Sequence, residues 1–347
     1  MKNGKTSSVR LTRAFALALA TILATIGWRA IASSDAGWVK HAITKSVRNV
    51  SLPEKQSKVV YLATDVVNYT NAGVFVSTDS GATFKNVTGA LPERVVKDIA
   101  VHPSNVKMAY VALMNSGVYR TTNQGTSWKA MNLGLTVQQA TALFLNPIAP
   151  STLFLGIKGG SVFRSTNGGG TWTKVGTVTG DVSAITADPK NKKVYYLGTN
   201  KRAVYKSIDS GVTWVQKTVG LAGATANSIT SIIVDPLNTA NVYLAMSKNG
   251  VFKSTDGGES WVQKKIGLKN IKVNDLVLYK KTPSILYAAT DGTGVFKSTN
   301  SADTWTQFDK LNLTELKILG IGLDQLTGKH LFAGTANAVF DYTLTAP

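Results

Sequence analysis

A seven-bladed β-propeller closed by its own N-terminal strand is the fold the sequence predicts, and three observations predict it. A twelve-residue segment returns six times at a near-constant interval. A short strand with a central aromatic returns seven times. A fragment matching the repeat's last strand stands ahead of the first repeat, where it can complete the final one.

The recurring segment reads GVFVSTDSGATF at 73–84, GVYRTTNQGTSW at 117–128, SVFRSTNGGGTW at 161–172, AVYKSIDSGVTW at 203–214, GVFKSTDGGESW at 250–261 and GVFKSTNSADTW at 294–305. Its anchors are Asp79, Asn123, Asn167, Asp209, Asp256 and Asn300, spaced 44, 44, 42, 47 and 44 residues apart. The aromatic strands centre on Tyr61, Tyr110, Phe154, Tyr196, Tyr243, Tyr287 and Phe332, one more than the boxes. After the seventh, Ala338-Val339-Phe340 opens the segment again and the box itself is missing. Gly37-Trp38-Val39-Lys40 matches the stretch that follows each box, so an N-terminal strand is expected to finish the last sheet and remove its open edge. Each unit reads as four strands. A β-branched run comes first, a turn often holding proline second, then the aromatic strand, the Val-Phe strand and a hairpin into the fourth. A β-helix would want shorter repeats and no exchange of strands between the chain's ends.

Residues 1–13 carry Lys2, Lys5, Arg10 and Arg13 without an acid, an apolar run follows from Ala14 to Trp28, and Ala30-Ile31-Ala32 closes it. This is the pattern of a secretory signal peptide cut after Ala32, with an uncleaved anchor as the alternative. The expected organisation is therefore a signal at 1–32 and a propeller at 33–347, exported to the periplasm or the exterior. Losing residues 1–32 removes five cations and no acid, so the formal charge falls from +19 to +14. A chain this basic is drawn to acidic protein surfaces, anionic glycans and membrane surfaces. Nucleic acid is equally anionic but sits in the wrong compartment for an exported protein. With no cysteine, disulfides, thiolate metal sites and cysteine nucleophiles are excluded. His41, His102 and His330 are scattered without metal-ligand spacing, so neither metal nor cofactor is expected.

The segment at 73–84 and its five copies resemble the Ser-x-Asp-x-Gly-x-Thr-Trp box of bacterial neuraminidase (BNR) repeats. The box makes sense as structure. Its Asp or Asn accepts backbone N–H groups and holds a turn. Its glycine allows a positive φ, and its tryptophan packs between blades. Half the anchors are Asn, which a turn tolerates and a catalytic acid does not, and Ala302 replaces the glycine of the sixth box.

Two enzyme families share the box. Sialidases need an arginine triad near an Arg-Ile-Pro motif and have six blades. Here the motif is missing, and beyond residue 32 only Arg48, Arg94, Arg120, Arg164 and Arg202 occur. Xyloglucan-cleaving hydrolases pair two such propellers, and glycoside hydrolysis needs two facing carboxylates. Asp98, Asp181 and Asp275 are the available acids near inner strands, each equally readable as a solvated strand-end residue.

Two irregularities mark where a partner could bind. Arg120, Arg164, Lys206, Lys253 and Lys297 occupy one repeat position in five consecutive units, an arc able to meet an acidic partner or simply a set of solvated strand-edge residues. In the first unit 13 residues separate Tyr61 from Val74, against 8 in the next five units, so Tyr69 should project on the face opposite the boxes. Lys158, Lys201, Arg202 and Lys248 lie in the matching loops of other units. A single propeller behind an export signal resembles the photosystem II stability/assembly factor-like family of BNR proteins. That resemblance implies a non-catalytic scaffold, expected as a monomer, that binds a protein client through a basic surface. The alternatives are a glycoside hydrolase and a glycan-binding envelope protein.

Overall fold

The computed structural model describes residues 37–41, 43, 46–65, 72–221, 227–269 and 272–345. These form seven antiparallel sheets of four strands each, with no helix among the described residues. Blades 1 to 6 run in chain order over 47–86, 96–130, 140–177, 182–216, 229–264 and 273–307, each sheet built from consecutive strands. Blade 7 takes three strands from 320–343 and its outermost strand, Val39–His41, from the other end of the chain. Lys40 pairs with Phe340 there, so the expected closure is present. The apolar residues 14–28 and the proposed cut after Ala32 lie outside the described residues.

The second strand of each blade is buried along its whole length in blades 1 to 6, as in Leu153–Ile157, because neighbouring blades cover both its faces. That is why it reads as an unbroken apolar run and not as an alternating one. Every inner strand from blade 1 to blade 6 carries a register shift at the same place, at Asn49, Asp98, Ala142, Ala184, Ser231 and Asp275. Such bulges re-aim polar side chains, and here they aim them at the next blade. Asn49 Nδ2 donates to Asp98 Oδ1 (3.0 Å), Leu143 N–H to Asp98 Oδ2 (2.9 Å) and Ile321 N–H to Asp275 Oδ2 (3.1 Å). Thr230 Oγ1 donates to the Val273 carbonyl (2.8 Å) and Asn274 Nδ2 to that of Ile318 (2.7 Å).

The boxes form a second ring of fasteners farther out. Within the first, Ser77 Oγ donates to Asp79 Oδ1 (2.7 Å) and accepts from Gly81 N–H (2.8 Å), while Thr83 N–H donates to Asp79 Oδ1 (2.9 Å). Asn123 keeps the same geometry with its carbonyl and turns its amide toward Ser127 Oγ, so Asp and Asn are interchangeable. The tip holds two consecutive left-handed residues, and Ala302 adopts this conformation (φ 69°) where the other boxes have glycine. The tip also lies on the aromatic of the preceding blade. A Cβ on Gly211 would sit 2.4 Å from Phe154, and one on Gly81 2.5 Å from Phe332. Glycine is thus needed for close approach as well as for φ. The tryptophan completes the fastener, because Trp128, Trp172, Trp261 and Trp305 each donate Nε1–H to a carbonyl of the previous blade's outer region.

Candidate functional site

The five cations of the expected arc recur at one register position, each directly opposite the second-strand aromatic of its own blade. All five are half-buried. Arg164 Nη1 donates to the Ser210 carbonyl in the next blade's box (2.6 Å). Lys206 reaches Glu259 in the box of blade 5 (2.9 Å) and lies 5.8 Å from the Tyr196 ring centroid. Lys253 and Lys297 stand 5.7 and 5.5 Å from the rings of Tyr243 and Tyr287, and burial lowers the pKa of Lys297. Much of the arc's charge is therefore directed into blade seams. In blade 7 the position is filled by Asp341, which His330 contacts at 3.2 Å.

Because each blade's strands alternate in direction, the turns after second strands open on the face opposite the boxes. Lys158, Lys201 and Lys248 are exposed there on blades 3, 4 and 5, and Arg202 is half-buried with φ 59°. None of these four is in an ion pair among the described residues. Acids of the same face are engaged. Asp181 accepts from Gly159 N–H (2.7 Å), Glu93 accepts from Asn115 N–H (2.6 Å), and Asp65 is bound by Arg48. Tyr69 lies outside the described residues.

The channel along the axis has two unlike ends. On the face opposite the boxes it opens into a polar vestibule of about 330 Å³ lined by Asp98, Asp275, Asn49, Ser231 and Asn274. Asp98 and Asp275 are thus brought to one space, and Asp181 is not. Both carboxylates sit deep in the ring with part of their surface open to the channel. Burial pushes Asp98 up to about 7 against the N–H bonds from Leu143 and Ile99, with the charge of Asp275 adding to the rise. Burial likewise pushes Asp275 up to about 6. Among the described residues no group of three or more acidic or histidine side chains is placed to hold a metal.

A folded carboxyl with a raised pKa keeps a proton that the unfolded chain has released. Asp98 therefore contributes stability below the ordinary carboxylate pKa and loses it as pH climbs from about 4 through about 7. Asp98→Asn removes this titration but turns an amide toward one of three N–H donors. The variant is expected to melt below the wild type at pH 5, with the gap narrowing by about 1–2 kcal/mol by pH 8. Parallel melts across that range measure it.

The box-side end of the channel is a funnel of about 340 Å³ lined by Leu52, Val101, Leu145, Pro147, Ala187 and Val234 among others. Its mouth is ringed by the turns after the inner strands. The lysines of these turns, present on blades 1, 2, 4, 6 and 7, were not among the residues the sequence singled out.

A model of the sortilin/Vps10 family (sortilin, neurotensin receptor 3) matches residues 72–158, well under half of the chain. No curated protein matches it. Among solved structures, an ancestral GH74 enzyme superposes with a TM-score of 0.73 at 19% identity, covering 90% of this chain and 47% of its own. The GH74 xyloglucanase from Xanthomonas campestris gives 0.71 at 15%, covering 89% and 54%. YCF48 bound to D1 peptide gives 0.66 at 14%, covering 90% and 98%. The chain spans about half the length of the GH74 proteins and nearly all of YCF48. At these identities the likeness is one of fold.

Proposed function

We propose that this protein is a non-catalytic binding scaffold that holds a protein client on the face opposite the boxes. The observation that carries this reading is the pattern of charge on that face. Among the described residues, exposed cations on three adjacent blades stand without ion-pair partners, while the nearby acids are committed to N–H groups or to a cation. An acidic client segment would meet unopposed charge there. YCF48 bound to D1 peptide, a neighbour whose chain is covered over 98% of its length, supports a single propeller serving as a peptide receptor. The box resemblance to assembly factor-like proteins points the same way. Export completes the proposal: residues 1–32 direct the chain out of the cytoplasm and are cut after Ala32, which N-terminal sequencing of the exported protein tests.

A second reading, glycoside hydrolase, is favoured by Asp98 and Asp275, whose raised pKa values in one vestibule suit an acid–base pair. Against it, both oxygens of Asp98 accept hydrogen bonds, and Asp275 is bonded to N–H groups of its own and the next blade. Capture from an envelope extract, cross-linked and identified by mass spectrometry, separates the two. The quadruple Lys158→Glu, Lys201→Glu, Arg202→Glu, Lys248→Glu variant is expected to lose its captured protein at least ten-fold, and xyloglucan to be left intact. Xyloglucan cleavage that disappears in Asp98→Asn overturns the scaffold.

A further inference from the structure

The box face carries a different surface, independent of the client reading. The turns after the inner strands share one geometry. The N–H two residues beyond the turn's anchor donates to that anchor's side chain, as Ile148 does to Asn146 (3.0 Å), Lys190 to Asp188 (2.7 Å), Leu237 to Asp235 (2.8 Å) and Leu326 to Asp324 (2.9 Å). The residue at this position directly follows the one that lines the funnel rim, Pro147, Pro189, Pro236 or Gln325. On blades 3, 5 and 7 it is aliphatic and exposed: Ile148 at 48%, Leu237 at 62% and Leu326 at 41%. On blades 4 and 6 the equivalent positions are Lys190 and Lys281, each donating its ammonium to the next blade's tip carbonyl, at Leu237 (2.7 Å) and Leu326 (2.6 Å). These bonds brace the apolar tips from below.

Charge on the same turns has one sign. Lys55, Lys107, Lys192, Lys193 and Lys329 are exposed. The acids of these turns, Asp188, Asp235 and Asp324, are buried and spent on turn N–H groups, and Glu54 is bound by Lys280. The box carboxylates lie farther out: Asp79, Asp209 and Asp256 are held by N–H and hydroxyl groups of their own turns, and Glu259 and Asp303 are paired with Lys206, Lys217 and Lys264.

We propose that the box face docks on an anionic lipid surface, with Ile148, Leu237 and Leu326 entering the headgroup layer and the turn lysines contacting lipid phosphates. Aliphatic tips spaced around a ring of cations match a broad anionic surface with an apolar layer beneath. A narrow acidic peptide could satisfy the lysines but not three tips on alternate blades.

The chain has no cysteine, so a single one can report each site. Ile148→Cys, Leu237→Cys and Leu326→Cys, each labelled with a polarity-sensitive dye, are mixed as full chains with vesicles of phosphatidylcholine alone or with phosphatidylglycerol. Lys248→Cys on the opposite face is the control. Blue-shifted emission at all three tips, only with the anionic vesicles and not at the control, is the expected result. Lys107→Gln with Lys192→Gln should raise the lipid concentration for half-maximal shift by about 25-fold, since each lysine near the surface contributes about 1 kcal/mol, or about five-fold. Unmoved tips, an equal shift in neutral lipid, or an equal shift at the control overturns the proposal. So does a tip response to polyglutamate without one to vesicles, which would assign the face to an acidic protein. The client-face variant should leave the vesicle response unchanged, so the two readings fail separately.

Discussion

Replacing Trp38 with alanine is expected to cost about 4 kcal/mol and to lower the melting temperature by roughly 10 °C. Trp38 is 2% exposed, although the strand it precedes is only three residues long. Its ring meets Phe308 and Tyr342 at centroid distances of 6.1 and 5.4 Å. Its indole N–H donates to the Asp309 carbonyl and its backbone N–H to that of Leu311, both at 2.8 Å. It thus performs for blade 7 what the box tryptophans perform for the others, but without the box hairpin that tethers those to a third strand. Truncation removes the aromatic contacts, leaves the Asp309 carbonyl without its donor, and frees Val39–His41 from the strand Val339–Thr343. That strand then becomes an open edge. Trp128→Ala, at an internal seam where the tryptophan is only half-buried and held by chain on both sides, should cost less. Thermal melts with light scattering check both effects, and aggregation should be confined to Trp38→Ala. Equal melting of the two variants would show that the closure has no special dependence on this residue.

The architecture was legible because each blade repeats one pattern within about 44 residues, and because Trp38 kept the signature of a strand whose hairpin lay at the far end of the chain. The box was legible as a turn, since Ser77, Asp79 and Thr83 are local partners. Its work between blades was not. Trp128 bonds to a carbonyl 41 residues back and Tyr196 to one 61 residues ahead, and no local pattern marks such partners. The same limit applies to the basic arc. Its recurrence could be read directly, but the box carbonyl that Arg164 meets belongs to the next repeat. Asp98 and Asp275 looked like strand-end acids because a bulge leaves no mark on composition. Their shared vestibule follows from ring closure alone. Ile148, Leu237 and Leu326 left a signal that could have been used. They follow the proline or its equivalent in turns already recognised, where an exposed aliphatic has no packing role.

Gly320→Ala is expected to destabilise by about 3 kcal/mol or more, although it adds one methyl group to a strand residue of unstrained φ. Gly320 holds the inner-strand position that Asp275 holds in blade 6 and Asp98 in blade 2. In those blades a side chain reaches across to the next blade. At blade 7 there is none, and the backbones themselves approach. A Cβ on Gly320 would lie 1.9 Å from the Arg48 carbonyl oxygen, and one on Gly334 2.4 Å from that of Val47. The obstacle is backbone on a neighbouring inner strand, so no rotamer change can relieve it. Blades 7 and 1 must separate, at the seam joining the two ends of the chain. Gly159→Ala supplies the contrast, since nothing lies within 4 Å of its added Cβ and only its φ of 86° opposes the change. That variant should lose about 1 kcal/mol. Denaturant melts of both give the comparison: a Gly320→Ala loss no larger than that of Gly159→Ala would mean the ring can widen at little cost, and that backbone contact between blades 7 and 1 is not what holds it shut.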